Sequence, residues 1–581
     1  METLLRIFQR QVSLSIQKAF GSAIPKEDQE ADIAPCMQEG HGHYQCNSAF
    51  RFSKLLKKSP YEIAQAIVSH FDRNTCSKVE IAGPGFINFT LSPAFLSERL
   101  QQQLEDPYLG VSPPKKKQKI IVEFSSPNIA KELHVGHIRS TIIGDCLARL
   151  FEFLGHDVLR LNHIGDWGTQ FGMLITYMQE HASGVLKGQE PASLESLMRW
   201  YKAAKQRFDE DATFKKRSQE EVVRLQSGDP EAMHAWKIIC DRSRVGFQEI
   251  YDLLDVHLVE RGESFYNSML KSIVDEVEQR GLVTLSNGAK CVYLEGFKNR
   301  DGEPFPLMIQ KSDGGYNYDT TDLAALRHRI FEEKADRIIV VVDAGQSLHF
   351  QMVFAVAEKC GWLDPQKVEV THVGFGLVLG SDGKKFKTRS GETEKLIHLL
   401  HIAVEKARAI ILDKHPDAQK ERVDHLSRVL GIDAVKYADL ASLRTKDYVF
   451  SYDKMLRFEG NTAVFLLYSY VRINGIKRKV GKEMRAVLKE NRIQISHPAE
   501  IALGLHLLRF GEVIEVLARD LLPNRLTDYL YELAEKFNAF FRDCRVEGTS
   551  EEGRRLAFCE LTARVLKQGM EILGLQTVER M

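Results

Sequence analysis

Two periods of apolar and polar positions alternate along this chain. Apolar residues Ile138, Ile142, Cys146, Leu150 and Leu154 form one helical stripe, and Gly155 suits the cap that ends it. Runs at 120–124 and 157–161 flank that helix and read as strands. Residues 337–342 and 368–379 resume buried parallel strands, with a helix over 348–359 between them. Strand and helix thus alternate from about 119, which predicts an α/β layer built on a parallel sheet. Residues about 172–300 interrupt the alternation. They are polar and helical, with a strand-rich patch near 282–297, and read as an insertion between two halves of one fold. From about 400 to the end the pattern is helical. Residues 1 to about 110 read as a separate α+β domain, with helices at 3–20 and 60–72 and strands at 79–82 and 86–90. Gly83-Pro84-Gly85 marks the turn between those strands. Residues 110–117, with two prolines and three lysines, read as a linker.

Composition narrows the class. The 581 residues suit about three to four domains. With 79 basic and 79 acidic side chains the net charge is zero, which leaves an RNA partner open because local patches, not totals, steer association. The nine cysteines are scattered without a Cys-x-x-Cys pair, so neither a structural zinc site nor a disulfide framework is expected, and reduced thiols fit a cytoplasmic protein. No apolar run approaches a membrane span. The mildly basic first 20 residues read as a folded helix rather than a transit peptide. Gly40-His41-Gly42-His43 with Cys46 is not read as a metal site: the glycines would hold ligands loosely and no fourth ligand is near.

The densest chemistry lies at 127–137, Pro127-Asn128-Ile129-Ala130-Lys131-Glu132-Leu133-His134-Val135-Gly136-His137, between the first core strand and the helix read to begin near Ile138. A strand-to-helix turn of an open parallel sheet is where ligands meet a helix N-terminus. Gly136 lets a ligand approach the backbone, and His134 and His137 can donate to phosphate oxygens that gain charge in a transfer reaction.

This block resembles the His-Ile-Gly-His signature of class I aminoacyl-tRNA synthetases. The wider strings, Glu123 to Asn128, His134 to Ser140 and Leu161 to Gln170, resemble the arginyl-tRNA synthetase version. The resemblance covers nearly the whole chain. It implies a doubly wound, Rossmann-like catalytic core with an α+β N-terminal domain and an all-α C-terminal anticodon-binding domain. It implies tRNA-elbow recognition by 1–110, a catalytic domain over 111–400, a helical stem-contact region over 401–460 and an anticodon-binding domain over 461–581. The implied reaction joins L-arginine, ATP and tRNA(Arg) through arginyl-adenylate. Mg²⁺ would accompany ATP without a dedicated protein cage, and a monomer is the family expectation.

The resemblance also implies site residues. His134, Gly136 and His137 would act at the α-phosphate. The loop 383–391 takes the place of the Lys-Met-Ser-Lys-Ser loop but lacks its Met-Ser-Lys-Ser portion, leaving Lys385, Lys387 and Arg389 as cations. Many arginyl enzymes share that departure and carry a lysine before the His pair, here Lys131. Glu123 and Asn128 would hold the backbone end of arginine or shape the pocket. Tyr318 and Asp322 match the guanidinium-side tyrosine and aspartate, and Gln346 a pocket glutamine. A guanidinium favours carboxylates. Trp167 suits the pocket or the core equally. For tRNA the candidates are Phe86 and Asn88 in the N-terminal domain and Tyr468, Tyr529 and Met581 in the C-terminal one, where aromatics on helices suit splayed bases but equally suit a core. Two rival classes remain. Another class I nucleotidyl-transfer enzyme would not need the helical third of the chain. A non-catalytic RNA-binding relative would have lost His134, Gly136 or His137.

Overall fold

The computed structural model describes residues 1–36, 40–299, 301–380, 382–384, 386 and 394–581. The chain divides into two compact units, one of residues 1–114, 457–571 and 576–581, the other of residues 115–456 and 572–575.

The first unit opens with the helix Leu4–Phe20 and an antiparallel sheet of β1 (Ile33–Pro35), β2 (Tyr44–Cys46), β3 (Cys76–Ala82) and β4 (Phe86–Leu91), ordered β1-β2-β4-β3. Phe8 stacks on Tyr44 at 5.5 Å and meets Phe89 at 5.4 Å, closing an aromatic core under the sheet. The reading of 1–110 as a separate domain is amended here. The Tyr44 hydroxyl donates to Glu512 at 2.9 Å, the Leu5 N–H donates to the same oxygen at 2.8 Å, and the buried Gln103 amide donates to the Leu507 carbonyl at 2.8 Å. Buried polar groups need such partners, and these partners come from the C-terminal helices, so the two segments share one unit.

The second unit is built on a parallel sheet of β5 (Lys119–Glu123), β6 (Asp157–Asn162), β7 (Val259–Glu260), β11 (Arg337–Val340) and β12 (Glu369–His372), ordered β12-β11-β5-β6-β7. A small antiparallel sheet of β8 (Val283–Ser286), β9 (Ala289–Val292) and β10 (Leu307–Gln310) lies between β7 and β11 in sequence, and β13 (Val378–Leu379) pairs in parallel with β14 (Tyr448–Val449). Ile120, Ile121 and Val122 of β5 are fully buried because the strand is central and covered on both faces. The chain runs outward from β5 through β6 to β7, then returns to the other side of β5 through β11 and β12. The sheet therefore changes direction between β5 and β11, the place where open α/β sheets bind ligands beyond the carboxyl ends of their strands.

Four readings shift against this architecture. The helix read to begin near Ile138 begins at Val135, and it is buried on nearly every side rather than along one stripe. A Cβ on Gly144 would lie 2.2 Å from the Phe124 side chain, so that glycine lets the helix press onto the strand. The 172–300 insertion contains β7, a strand of the core sheet. The 368–379 run is not one buried strand but two short ones in different sheets, and β12 is partly exposed at the sheet edge. Finally, β14 interrupts the region after 400 that reads as wholly helical.

Candidate active site

The carboxyl ends of β5, β6, β7 and β11 open on a cavity of about 930 Å³. Its lining includes Glu123 at the end of β5 and Ser125, Ser126 and Asn128 after it, His163 and Gly165 after β6, Glu263 after β7, and Val341 to Asp343 after β11. His134, Gly136 and His137 line it from the start of the Val135–Phe153 helix, Tyr318 and Asp322 from the Tyr318–Phe331 helix, Gln346 from the turn into the Ser347–Lys359 helix and His349 from that helix's first turn.

The two motif histidines cap their helix reciprocally. His134 Nδ1 accepts the Gly136 N–H at 3.0 Å, and His137 Nδ1 accepts the His134 N–H at 3.1 Å. An Nδ1 that accepts a backbone N–H leaves the ring proton on Nε2. Burial, and for His137 the neighbouring His134, pull both pKa values down, His137 to about 3. Both rings are thus neutral donors whose Nε2–H has no bonded partner among the described residues, centroids 4.0 Å apart. Gly136 has a second reason to be glycine: a Cβ there would come within 2.8 Å of the His134 ring and push it off its cap.

The backbone leading to this helix is strained. Ser125, Ser126 and Ala130 have φ of 72°, 47° and 59°, which costs on the order of 1–3 kcal/mol per non-glycine residue. Neighbours hold the turn: the Ser125 N–H donates to Ser140 Oγ at 2.9 Å, the Ser126 N–H to Asn162 Oδ1 at 3.0 Å and the Ala130 N–H to Ser243 Oγ at 3.0 Å. Asn128 is exposed to the cavity and seated over Gly165, where a Cβ would meet its Oδ1 at 2.1 Å.

The acidic end has a different construction. Glu123 is buried with its carboxylate 2.5 Å from Arg329 Nη1. Burial works against the Arg329 charge, but Glu123 outweighs it and raises the guanidinium pKa. Glu263 hangs from a turn pinned by Asp166, which accepts the Ser264 N–H at 2.8 Å and the Ser264 hydroxyl at 2.6 Å. Burial, reinforced by the Asp322 and Asp166 carboxylates, pushes Glu263 up to about 8. Asp322 sits 2.6 Å from His349 Nε2 and 3.7 Å from His163 Nε2. Tyr318 is 59% exposed, at the cavity mouth. Burial and the Asp319 and Asp322 charges raise its phenol.

One cavity therefore gathers Glu123, Asn128, His134, Gly136, His137, Tyr318, Asp322 and Gln346 from the residues singled out in sequence. Lys131 lies outside the lining, with its ammonium 5.8 Å from the Tyr201 ring centroid. Lys385, Lys387 and Arg389 lie outside the described residues. Trp167 meets Trp236 edge to face at 5.9 Å and does not line the cavity. Sequence reasoning gave no role to Glu263, His163 or His349. Glu263 follows a two-residue strand with no periodicity to reveal it. A signal existed for His349: Asp319 and Asp322 share a helix face at i, i+3, and a histidine opens the next helix.

Comparison with known proteins decides the family. A family profile described as the catalytic domain of "tRNA synthetases class I (R)" matches residues 99–452. A "DALR anticodon binding domain" profile matches 466–581, and an "Arginyl tRNA synthetase N terminal domain" profile matches 7–91. Arginine–tRNA ligase of Protochlamydia amoebophila is 57% identical, with 100% of each chain covered.

The chain belongs to the arginyl-tRNA synthetase family.

The resemblance read from residues 123–170 is thereby borne out, as is the fold class. Arginine–tRNA ligase of a Nostoc species is 51% identical over 99% of each chain. The solved arginyl-tRNA synthetase of Plasmodium falciparum superposes with a TM-score of 0.88 at 34% identity, covering both chains fully. That of Thermus thermophilus, at 22% identity and a TM-score of 0.79, shares the fold.

In a member of this family the RNA-contact candidates gain interest, and the structure separates them. Tyr468 is exposed, with the Arg472 guanidinium 4.7 Å over its ring, and Phe86 is partly exposed against Phe50 at 4.6 Å. Met581 is partly exposed at the end of the chain. Two candidates are corrected. Tyr529 is buried, stacked on His506 at 4.4 Å and donating to the His506 carbonyl at 3.1 Å. Asn88 is buried, its Oδ1 accepting from Gln45 at 2.8 Å. Helical and strand positions that look available in sequence turn inward here, and neither side chain presents a surface to a base. Among the described residues no group of three or more His, Cys, Asp or Glu could hold a metal ion, and no helix is long and apolar enough to cross a membrane.

Proposed function

We propose that this chain activates L-arginine with ATP and transfers the arginyl group to tRNA(Arg), releasing diphosphate and then AMP. The observation that carries the proposal is the shared cavity: two neutral histidine donors and a set of carboxylates line one space. The arginine carboxylate attacks the α-phosphorus, diphosphate departs, and arginyl-adenylate forms. The Nε2–H groups of His134 and His137 meet the oxygens that gain charge in that step, and because the rings are capped they need not reorganise. Asp322 and Glu263 receive the guanidinium, with Tyr318 and Gln346 beside it. Asn128 holds the backbone end of arginine. Glu123, committed to Arg329, shapes the floor. A hydroxyl of the terminal tRNA adenosine then attacks the activated carbonyl and AMP leaves.

Lys131 is proposed to meet the departing diphosphate together with Lys385 and Lys387. Its place three residues before His134 favours this, and to act there its ammonium must leave its seat above Tyr201. Mg²⁺ arrives on the ATP phosphates. Phe86, Tyr468 and Met581 are the proposed tRNA contacts, with the 7–91 segment toward the elbow and the 466–581 segment toward the anticodon. The enzyme is proposed to work as a cytoplasmic monomer.

The test is ATP–diphosphate exchange with each of the twenty amino acids, with and without tRNA(Arg). Arginine alone should stimulate it. A stronger signal from another amino acid would overturn the substrate.

A further inference from the structure

Asp319 and Asp322 stand three residues apart near the start of the Tyr318–Phe331 helix, and the His349 ring lies between them. His349 Nδ1 is 3.1 Å from Asp319 Oδ1, and Nε2 is 2.6 Å from Asp322 Oδ2. A neutral imidazole carries one N–H, so its bare nitrogen would face a carboxylate oxygen lone pair to lone pair. Only the imidazolium satisfies both contacts. Burial opposes that charge, yet the two bonds outweigh it and lift His349 to about 9. The ring is fixed on its other sides by edge contacts with Tyr318 at 5.1 Å and Phe350 at 5.0 Å.

The two aspartates are not equivalent. Asp319 lies outside the cavity lining, and its second oxygen accepts from Asn317 Nδ2 at 3.0 Å. Asp322 lines the cavity, and its second oxygen stands 3.7 Å from His163 Nε2, beyond hydrogen-bond distance. One Asp322 oxygen is thus committed to the clamp and the other is left for a ligand. Two carboxylates and one imidazolium sum to a single negative charge.

We propose that His349 is a positioning residue of the guanidinium site: clamped between Asp319 and Asp322, it orients the Asp322 carboxylate and offsets one of the two aspartate charges. This deepens the proposed arginine site and rests on it. Without the clamp Asp322 rotates freely beside a second buried carboxylate. It then meets the guanidinium only after being reoriented and partly neutralised.

The experiment is ATP–diphosphate exchange with the full-length protein and tRNA(Arg) present, comparing wild type, His349→Gln and Asp319→Asn. His349→Gln should raise the arginine KM about 10–100-fold, the range for losing a hydrogen bond between charged groups. Its ATP KM and kcat should stay within about threefold, since the His134 and His137 end is untouched. Asp319→Asn should move the arginine KM the same way by roughly tenfold, although that side chain does not line the cavity. Because Asp319→Asn keeps the shape of the clamp, it decides the matter if His349→Gln fails to fold. An arginine KM that is unchanged or lower in Asp319→Asn overturns the proposal. So does a rise matched by equal losses in ATP KM and kcat, which is what general damage produces. A wild-type protein that arginine does not stimulate would instead sink the substrate assignment. Normal wild-type stimulation with unmoved variants sinks the positioning role alone.

Discussion

Histidine appears at both ends of the cavity and does opposite things there. At the phosphate end His134 and His137 sit against each other, accept backbone N–H groups on Nδ1 and are held neutral, His137 with a pKa of about 3. At the amino-acid end His349 sits between two carboxylates and is held charged, with a pKa of about 9. Burial lowers the pKa in both places. What differs is the partner: at the phosphate end basic neighbours, Lys131 and for His137 also His134, add to burial, while at the amino-acid end two carboxylates outweigh it. A neutral donor suits an oxyanion that forms only in the transition state, while a fixed charge suits an ion that is present from the start.

The comparison breaks most severely where the two ends share a floor. Glu123→Gln should strand the buried Arg329 guanidinium and cost about 3–5 kcal/mol of stability. Thermal unfolding should show it as a clear drop in Tm, and an unchanged Tm would free Glu123 to be a substrate contact instead. At the phosphate end, His137→Ala should lower the single-turnover activation rate roughly 10²–10³-fold, about the effect of deleting one transition-state donor. The arginine Kd should hardly move. If the rate stays within about twofold the ring only caps the helix.

At the amino-acid end the signature inverts. Asp322→Asn keeps the shape and removes the charge, so arginine binding should weaken by about 1–3 kcal/mol, measured by calorimetry. Unaltered affinity would place the guanidinium elsewhere. The same end should respond to pH. Glu263 carries its proton below about 8, and a guanidinium favours the ionised form. The arginine KM should therefore fall as pH rises from about 6.5 to 8, by at most about tenfold per unit. Glu263→Gln should flatten that slope, and a wild-type profile already flat would exclude the carboxyl from the site. The smallest effect is expected from Lys131→Ala. Its ammonium starts above Tyr201, and a several-fold loss in activation rate is about what one screened cation supplies. A loss as large as that of His137→Ala would show that the lysine reaches the diphosphate in every turnover.

The fold class was legible because its strongest signals are local. The β5 run and the helix after it are contiguous, and the His-Val-Gly-His string fits the turn between them. The cavity-lining positions Tyr318, Asp322 and Gln346 were legible because they fall in short strings whose order matches a family. Glu263 was not: it follows β7, two residues long, inside a stretch whose polarity reads as an insertion. Pairing of β7 with β6 joins residues about a hundred apart, and no periodicity encodes such a contact. The charge state of His349 was hidden for the same reason, since it depends on two helices meeting. Tyr529 and Asn88 erred in the other direction. A period of 3.6 or 2 says which residues share a face, but not which face a neighbour covers.

The shared core of residues 1–114 and 457–571 has a consequence for how the protein is made. The first segment leaves the ribosome early and can close its own aromatic core around Phe8, Tyr44 and Phe89. The Leu5 N–H and the Tyr44 hydroxyl lack their native acceptor, Glu512, until the chain beyond 457 emerges, and the Gln103 amide, which also donates to the Leu109 carbonyl, lacks its second acceptor, Leu507. At about 5–20 residues per second that delay is on the order of tens of seconds, with residues 115–456 synthesised in between. Nascent chains stalled near residue 456 should thus be cut by protease within residues 1–114 at sites that the finished protein protects. Equal protection in both would mean that the early segment matures alone. The order of synthesis makes the oldest part of the molecule wait for the newest.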